Sequence, residues 1–311
     1  MFKKFLHTAT LAILATGAAV WTTAAQAGPR EGIQKTSYAP TIQSANPDAA
    51  PTNTTQLGSQ ANNGTLIFSA PPRETAAEGE ATYGPIAEYL SKTLGKPVVY
   101  KHSDNWLSYQ TEMQKGGFDI VFDGPHFTGW RISRMQNNPL AKFPGEHLFV
   151  VVVKKDDTRV ADIKQLVGRP VCGMASPNLG TLTLLNQFDN PARQPVVMDT
   201  SGWDSIYKGL MSGRCVGAVL PINNLEKYDR AGAYTRIIYH GTALPNQAFS
   251  AGPRVSLQDQ IKIKQALLSK QADSATAHLR QVYAIDGALV PATKDEYVAL
   301  GGMLKDVWGY Q

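Results

Sequence analysis

The stretch from Phe118 to Phe127, FDIVFDGPHF, leaves this chain little choice of fold. Asp119-Ile120-Val121-Phe122 is a short apolar run of strand length and composition, reached from a Gly116-Gly117 turn. The run stops at Asp123-Gly124-Pro125, and Phe127, Trp130, Arg131 and Arg134 then recur at helical spacing. Strand, tight turn and a helix beginning at His126 place Asp123 and His126 at the carboxyl end of a strand. In open α/β sheets that edge collects loop side chains and free helix amides, and ligands settle there. An ordinary strand-to-helix turn has the same pattern, so the weight comes from its repetition along the chain.

A strand is expected over 65–70 (TLIFSA), closed by Pro71-Pro72, and then a helix carrying Tyr83, Ile86, Ala87, Leu90 and Leu94 up to Gly95. A strand over 97–100 and a helix over 105–115 lead into the organising strand. This alternation argues for a parallel sheet covered by helices. The run 148–153 (LFVVVV) has the continuous apolarity of a strand buried on both faces. A second set follows, with strands over 170–174, 195–198 and 216–220 and helices over 162–167, 179–188 and 203–211. Further strands are read over 235–239 and 247–251, and helices over 256–311 broken at Gly287 and Pro291. The expectation is an α/β chain of two lobes, 63–149 with 239–311 and 150–238, with a cleft between them and a helical tail.

Residues 1–27 read as a cleaved export signal: Lys3 and Lys4, an apolar middle and Ala25-Gln26-Ala27. The product is expected in the periplasm. Residues 28–62 are rich in Pro, Ser, Thr, Asn, Gln and Ala and read as a disordered spacer. The two leader lysines account for two of the formal +5 charges, which leaves a mildly basic chain with no basic run for nucleic acid. In an oxidising compartment Cys172 and Cys215 are more often bridged than free, which here means a staple within one lobe.

Residues across 64–290 resemble a known family. LIFSAPP, YGPIAEYLSKTLGKPV, QKGGFDIVFDGPHF, LFVVVVKKDD, SPNLGTLTLL, SGWDSIYKGLMSGRCVGAV and ALPNQAFSAGPRVS follow one another in this chain. In that order they are similar to the periplasmic substrate-binding proteins of phosphate, phosphite and phosphonate ABC transporters, which share the type II two-lobed binding fold. The resemblance implies capture of a small solute, delivery to a membrane permease and no chemistry on the ligand. In that family a hydroxyl cluster at a second-lobe helix start grips an oxyanion; Ser176, Asn178 and Thr181 stand in the corresponding stretch, with Leu179 and Gly180 among them. Where many relatives carry a histidine this chain has Trp203, and where an acid often ends the last second-lobe strand it has Leu220-Pro221-Ile222-Asn223. Asp123 replaces a tyrosine before the glycine. A carboxylate there favours a ligand that carries a cation.

The candidate ligand contacts are therefore Tyr83, Trp106, Asp123, Gly124 and His126 on one side, and Ser176, Asn178, Thr181, Trp203 and Asn223 on the other. Trp106 and Trp203 could sandwich a planar or cationic group, and ordinary core packing explains either tryptophan or Tyr83 as well. Asp123 could equally cap the next helix, as Ser176, Asn178 and Thr181 could cap theirs. His102, Asp123 and His126 lack the spacing of a metal site, so neither metal nor cofactor is expected. No nucleophile elbow, P-loop, dinucleotide fingerprint or metalloprotease helix is present, which sets aside an enzyme. The reading is a monomeric solute-binding protein, weakly favouring a phosphonate- or phosphate-like oxyanion. The alternatives are a ligand-presenting sensory module for a receptor or histidine kinase, and a binder of an amine or zwitterion through Asp123 and aromatics.

Overall fold

A computed structural model describes residues 64–308; the expected export signal and spacer lie outside the described residues. β1 (Leu66–Ser69) ends at the two prolines, and α1 (Ala76–Leu94) begins behind Thr75. The Thr75 hydroxyl accepts from the Glu78 amide while the Glu78 carboxylate accepts from the Thr75 amide, closing both orphan donors at the helix start. Gly95 ends the helix at φ 66°, a conformation glycine adopts without penalty. β2 (Val98–Tyr100) and α2 (Trp106–Gln114), capped by Asn105, lead to the fully buried β3 (Ile120–Asp123). α3 (Pro125–Met135) follows directly, with Pro125 in its first turn and no side chain capping Gly124. β4 (Asn138–Lys142) and β5 (Glu146–His147) complete this half, and β6 (Phe149–Lys154) enters the second sheet.

The second set comprises β7 (Pro170–Gly173), α4 (Leu179–Leu185), β8 (Val196–Asp199), α5 (Trp203–Met211), β9 (Gly217–Pro221), α6 (Ile222–Tyr228) and β10 (Thr235–His240). β11 (Leu244–Pro245) and β12 (Ala248–Ala251) return to the first half. α7 (Leu257–Leu267), α8 (Ala272–Ala275), α9 (Ala277–Tyr283), β13 (Val290–Pro291), a 3-10 turn (Val298–Leu304) and α10 (Lys305–Trp308) follow.

One sheet runs β13-β4-β12-β3-β1-β2 and another β10-β6-β9-β7-β8, with β11-β5 as a small ribbon. The β2-β1-β3 and β8-β7-β9 centres are parallel, as the helix alternation requires, but β4, β12, β13, β6 and β10 join antiparallel. The sheets are therefore mixed rather than purely parallel. The C-terminal segment also differs from a helical tail: Val290 and Pro291 pair with Lys142 and Ala141. Pro291 sits there on an edge strand, where its missing N–H costs no ladder bond.

Phe68, Tyr83, Tyr100, Phe122 and Phe249 pack ring against ring in the first core. A disulfide joins Cys172 on β7 to Cys215 just before β9, Cα–Cα 5.6 Å. The C-terminal 3-10 turn rides on α3 so closely that a Cβ on Gly129 would lie 2.2 Å from the Tyr297 carbonyl oxygen. Only glycine admits that approach. Among the described residues no helix is long and apolar enough to cross a membrane.

Candidate functional site

The turn after β1 carries two charged residues into the space between the sheets. Arg73 is buried, and its Nη1 donates 2.9 Å to the Tyr283 hydroxyl on α9. Among the described residues no carboxylate oxygen comes within 4.0 Å of that guanidinium. The next residue, Glu74, has a buried Oε1 that accepts no hydrogen bond. Burial raises the Glu74 carboxyl to about 7, against the pull of the Arg73 charge and the Tyr83 hydroxyl. Both residues line a pocket of about 270 Å³ to which the other sheet contributes Met174, Gly202, Trp203 and Tyr228.

Several hydrogen bonds join the two halves around this pocket, among them one of 2.8 Å from Lys227 Nζ to the Gln281 carbonyl. The Gly202 amide donates to the Arg73 carbonyl (3.0 Å), and Asn224 Nδ2 to the Val282 carbonyl (2.9 Å). His126 Nε2 lies 3.0 Å from the Pro177 carbonyl oxygen. A carbonyl only accepts, so the proton is on Nε2 and Nδ1 is left as an acceptor, buried and without a partner. Burial lowers His126 to about 3; the Pro177 bond opposes that fall and the Arg73 charge adds to it. His147, edge-on to Phe149, is likewise lowered to about 3 by burial, then by Arg73 and His126. Both imidazoles are neutral at physiological pH.

The Asp123 carboxylate is committed elsewhere. Arg131 Nε donates to it at 2.5 Å, the Tyr109 hydroxyl also donates, and Arg131 Nη2 bonds Tyr109 at 2.9 Å. The triad is fully buried, so Asp123 presents no uncompensated charge to a ligand. Gly124 caps α3, and a Cβ there would meet the His126 ring at 3.1 Å and Arg73 Nη2 at 3.6 Å. Of the two tryptophans, Trp106 stacks on Phe127 (6.1 Å), while Trp203 meets Phe149 edge-on (5.9 Å) and lines the pocket. No ring contact joins the two tryptophans among the described residues. Tyr83 is a core residue whose hydroxyl approaches Glu74 and Tyr283 without a hydrogen bond inside 3.5 Å.

The turn before α4 closes on itself. Asn178 Oδ1 accepts from the Gly180 amide at 2.9 Å, Thr181 donates to the Met174 carbonyl, and Ser176 is exposed. A Cβ on Gly180 would lie 2.6 Å from the Phe149 ring, so that ring covers the helix start. Asn223 is half-buried on α6, and its neighbour Asn224 makes the bond across the interface.

The model of the family described as ABC transporter, phosphonate, periplasmic substrate-binding protein matches residues 68–297. The chain belongs to this family. Among solved structures, the fold is similar to PhnD1 of Prochlorococcus marinus in complex with methylphosphonate, with TM-score 0.63, 16% identity, and 79% of this chain and 99% of that one covered. A Xanthomonas citri protein bound to ATP matches with TM-score 0.60 and 12% identity over 78% and 98% of the two chains. A binding-protein component of an ABC phosphonate transporter from Pseudomonas aeruginosa gives 0.60 and 11% over 77% and 85%. No curated protein matches the sequence. These likenesses show a two-lobed binding-protein fold, with the pocket above lying between its lobes.

In this phosphonate-binding-family chain the sequence reading overlooked Arg73, Glu74, His147 and Tyr283. Pro71-Pro72 closes the first strand, and Arg73-Glu74 follows at once, a charged pair at its carboxyl edge. That position was the available signal. Nothing local marks Tyr283, which meets Arg73 from α9, or His147, which lies on β5 against Phe149.

Proposed function

We propose that this chain is an exported, monomeric solute-binding protein that captures a small phosphonate- or phosphate-like oxyanion between its lobes and passes it to an ABC importer. The lobes are 63–149 with 239–311 and 150–238. The observation that carries the reading is Arg73: a buried guanidinium on the pocket wall with no carboxylate within 4.0 Å among the described residues. Holding a cation in a low-dielectric site is unfavourable unless an anion meets it, and a guanidinium fits an oxyanion through two parallel N–H bonds. Gly124, His126 and Trp203 border the same interface. Asp123 serves as the internal partner of Arg131, and the self-capped turn at Ser176, Asn178 and Thr181 walls the site. Exchange of ligand requires the interlobe hydrogen bonds to part by hinge motion.

A thermal-shift screen of the full chain with methylphosphonate, phosphate, phosphite, sulfate and simple amines tests this. An oxyanion at one hundred times its dissociation constant adds about 2.7 kcal/mol. Stabilisation by amines alone, or by none of these, overturns the reading.

A further inference from the structure

A second cavity lies at the other end of β3. The turn Gly124–His126 leaves the carboxyl end of that strand toward the other sheet, whereas Phe118 and Asp119 enter its amino end. β12 runs antiparallel beside it with Ala251 opposite Ile120, so Gly252-Pro253-Arg254 emerges at the same edge. With Lys115, Arg131 and Met135 these residues enclose about 280 Å³, as much as the interlobe pocket, and the two cavities share no residue. The charges around it do not cancel. Asp119, 3% exposed, is spent: Oδ1 accepts from Arg254 Nε and Oδ2 from the Ile67 amide, each at 2.8 Å. Asp123 is spent on Arg131 and Tyr109. Lys115, Arg131 and Arg254 thus stand as three cations against two acids, of which only Asp119 reaches the wall.

The same cations keep hydrogens to give. Arg131, 1% exposed, donates from Nε to Asp123 and from Nη2 to Tyr109, but its Nη1 makes no bond among the described residues. Neither Nη of Arg254 nor the Nζ of exposed Lys115 is bonded among them either. Phe118, Met135 and Pro253 supply apolar wall beside these donors. We propose that this cavity is a second binding site, separate from the interlobe pocket, and that it takes a monocarboxylate carried on an apolar stem. The carboxylate lies against Arg131 Nη1 and the free edge of Arg254, where planar donors match its two oxygens. Lys115 stands at the mouth and draws the anion in, and the stem packs on Phe118 and Met135. A single negative charge balances the single excess cation. A phosphate dianion overfills it and leaves the apolar wall unused.

Calorimetric titration of hexanoate at low salt tests this, with hexan-1-ol as the same stem without the charge. The wild-type chain should bind hexanoate at least about 10-fold more tightly than hexan-1-ol. Lys115→Glu reverses an exposed charge that makes no ion pair among the described residues, so the fold is kept. It should weaken hexanoate on the order of 10-fold, and Arg254→Gln should weaken it further. Arg73→Met, which removes the cation of the interlobe pocket, should leave hexanoate within about 2-fold of the wild type. Three results overturn the proposal: no hexanoate binding by the wild type, equal binding of hexan-1-ol, or loss in Arg73→Met with retention in Lys115→Glu.

Discussion

The backbone carbonyl of Arg73 accepts a 3.0 Å hydrogen bond from the amide of Gly202, so the turn that carries the buried guanidinium is tied to the first residue before a helix of the opposite lobe. A loop anchored in this way cannot swing its cation into solvent while the lobes are together. Arg73 therefore stays on the pocket wall, with Tyr283 holding its other side.

Two buried neutral histidines make stability depend on pH. His126 and His147 titrate near 3 in the folded chain, below their ordinary value. Between about pH 3 and 6.5 the unfolded chain binds these protons and the folded chain does not, so their contribution is complete above 6.5 and is lost as pH falls. Glu74, raised to about 7, works in the opposite sense between about 4.5 and 7, because there the folded chain holds the extra proton. His102, lowered by burial, adds to the other histidines. The net over pH 5–6 is about one proton, so stability from urea unfolding should rise by roughly 1.4 kcal/mol per pH unit. His126→Gln with His147→Gln should reverse that slope, and Glu74→Gln should steepen it. A flat wild-type profile contradicts the account.

Asp123 should matter for stability and not for ligand affinity. Asp123→Asn leaves Arg131 buried without its counter-charge, which costs about 3–5 kcal/mol in denaturant unfolding. Adding Arg131→Met removes the stranded charge and should recover most of that loss. Methylphosphonate affinity at low temperature should match the wild type in the double variant; its abolition would return Asp123 to the ligand site.

Gly129 and Gly302 form a matched pair for the C-terminal clamp. A Cβ at Gly129 would sit 2.2 Å from the Tyr297 oxygen and 2.6 Å from the Gly301 amide, whereas nothing lies within 4 Å of one at Gly302. Gly129→Ala is expected to destabilise by about 1–3 kcal/mol, and Gly302→Ala to change stability by less than about 0.5 kcal/mol. Equal melting temperatures for the two variants would show that the 3-10 turn does not rest on α3.

The parallel centre of each sheet was legible because its signals are local. TLIFSA, DIVF, LFVVVV and PVCGM are apolar runs bounded by turns, and they form β1, β3, β6 and β7 within a residue or two. β4 was missed because Asn138-Pro-Leu-Ala-Lys142 has neither alternation nor a continuous apolar run; its strand character comes from pairing with β12 and β13. The site was harder for the same reason. The place of Asp123 at a strand end could be read, but its partner Arg131 lies two helical turns on, and no pattern reveals that their side chains meet. The self-capping of Asn178 and the Phe149 ring over Gly180 are likewise facts of packing across elements.

The central claim is that Arg73 supplies the counter-charge for a bound oxyanion, and calorimetric titration of methylphosphonate into the wild type and into Arg73→Met tests it directly. The wild type should bind at one site per chain. Arg73→Met should bind on the order of 30-fold more weakly or worse. Equal affinity in the two proteins, or no binding by the wild type, would contradict the account.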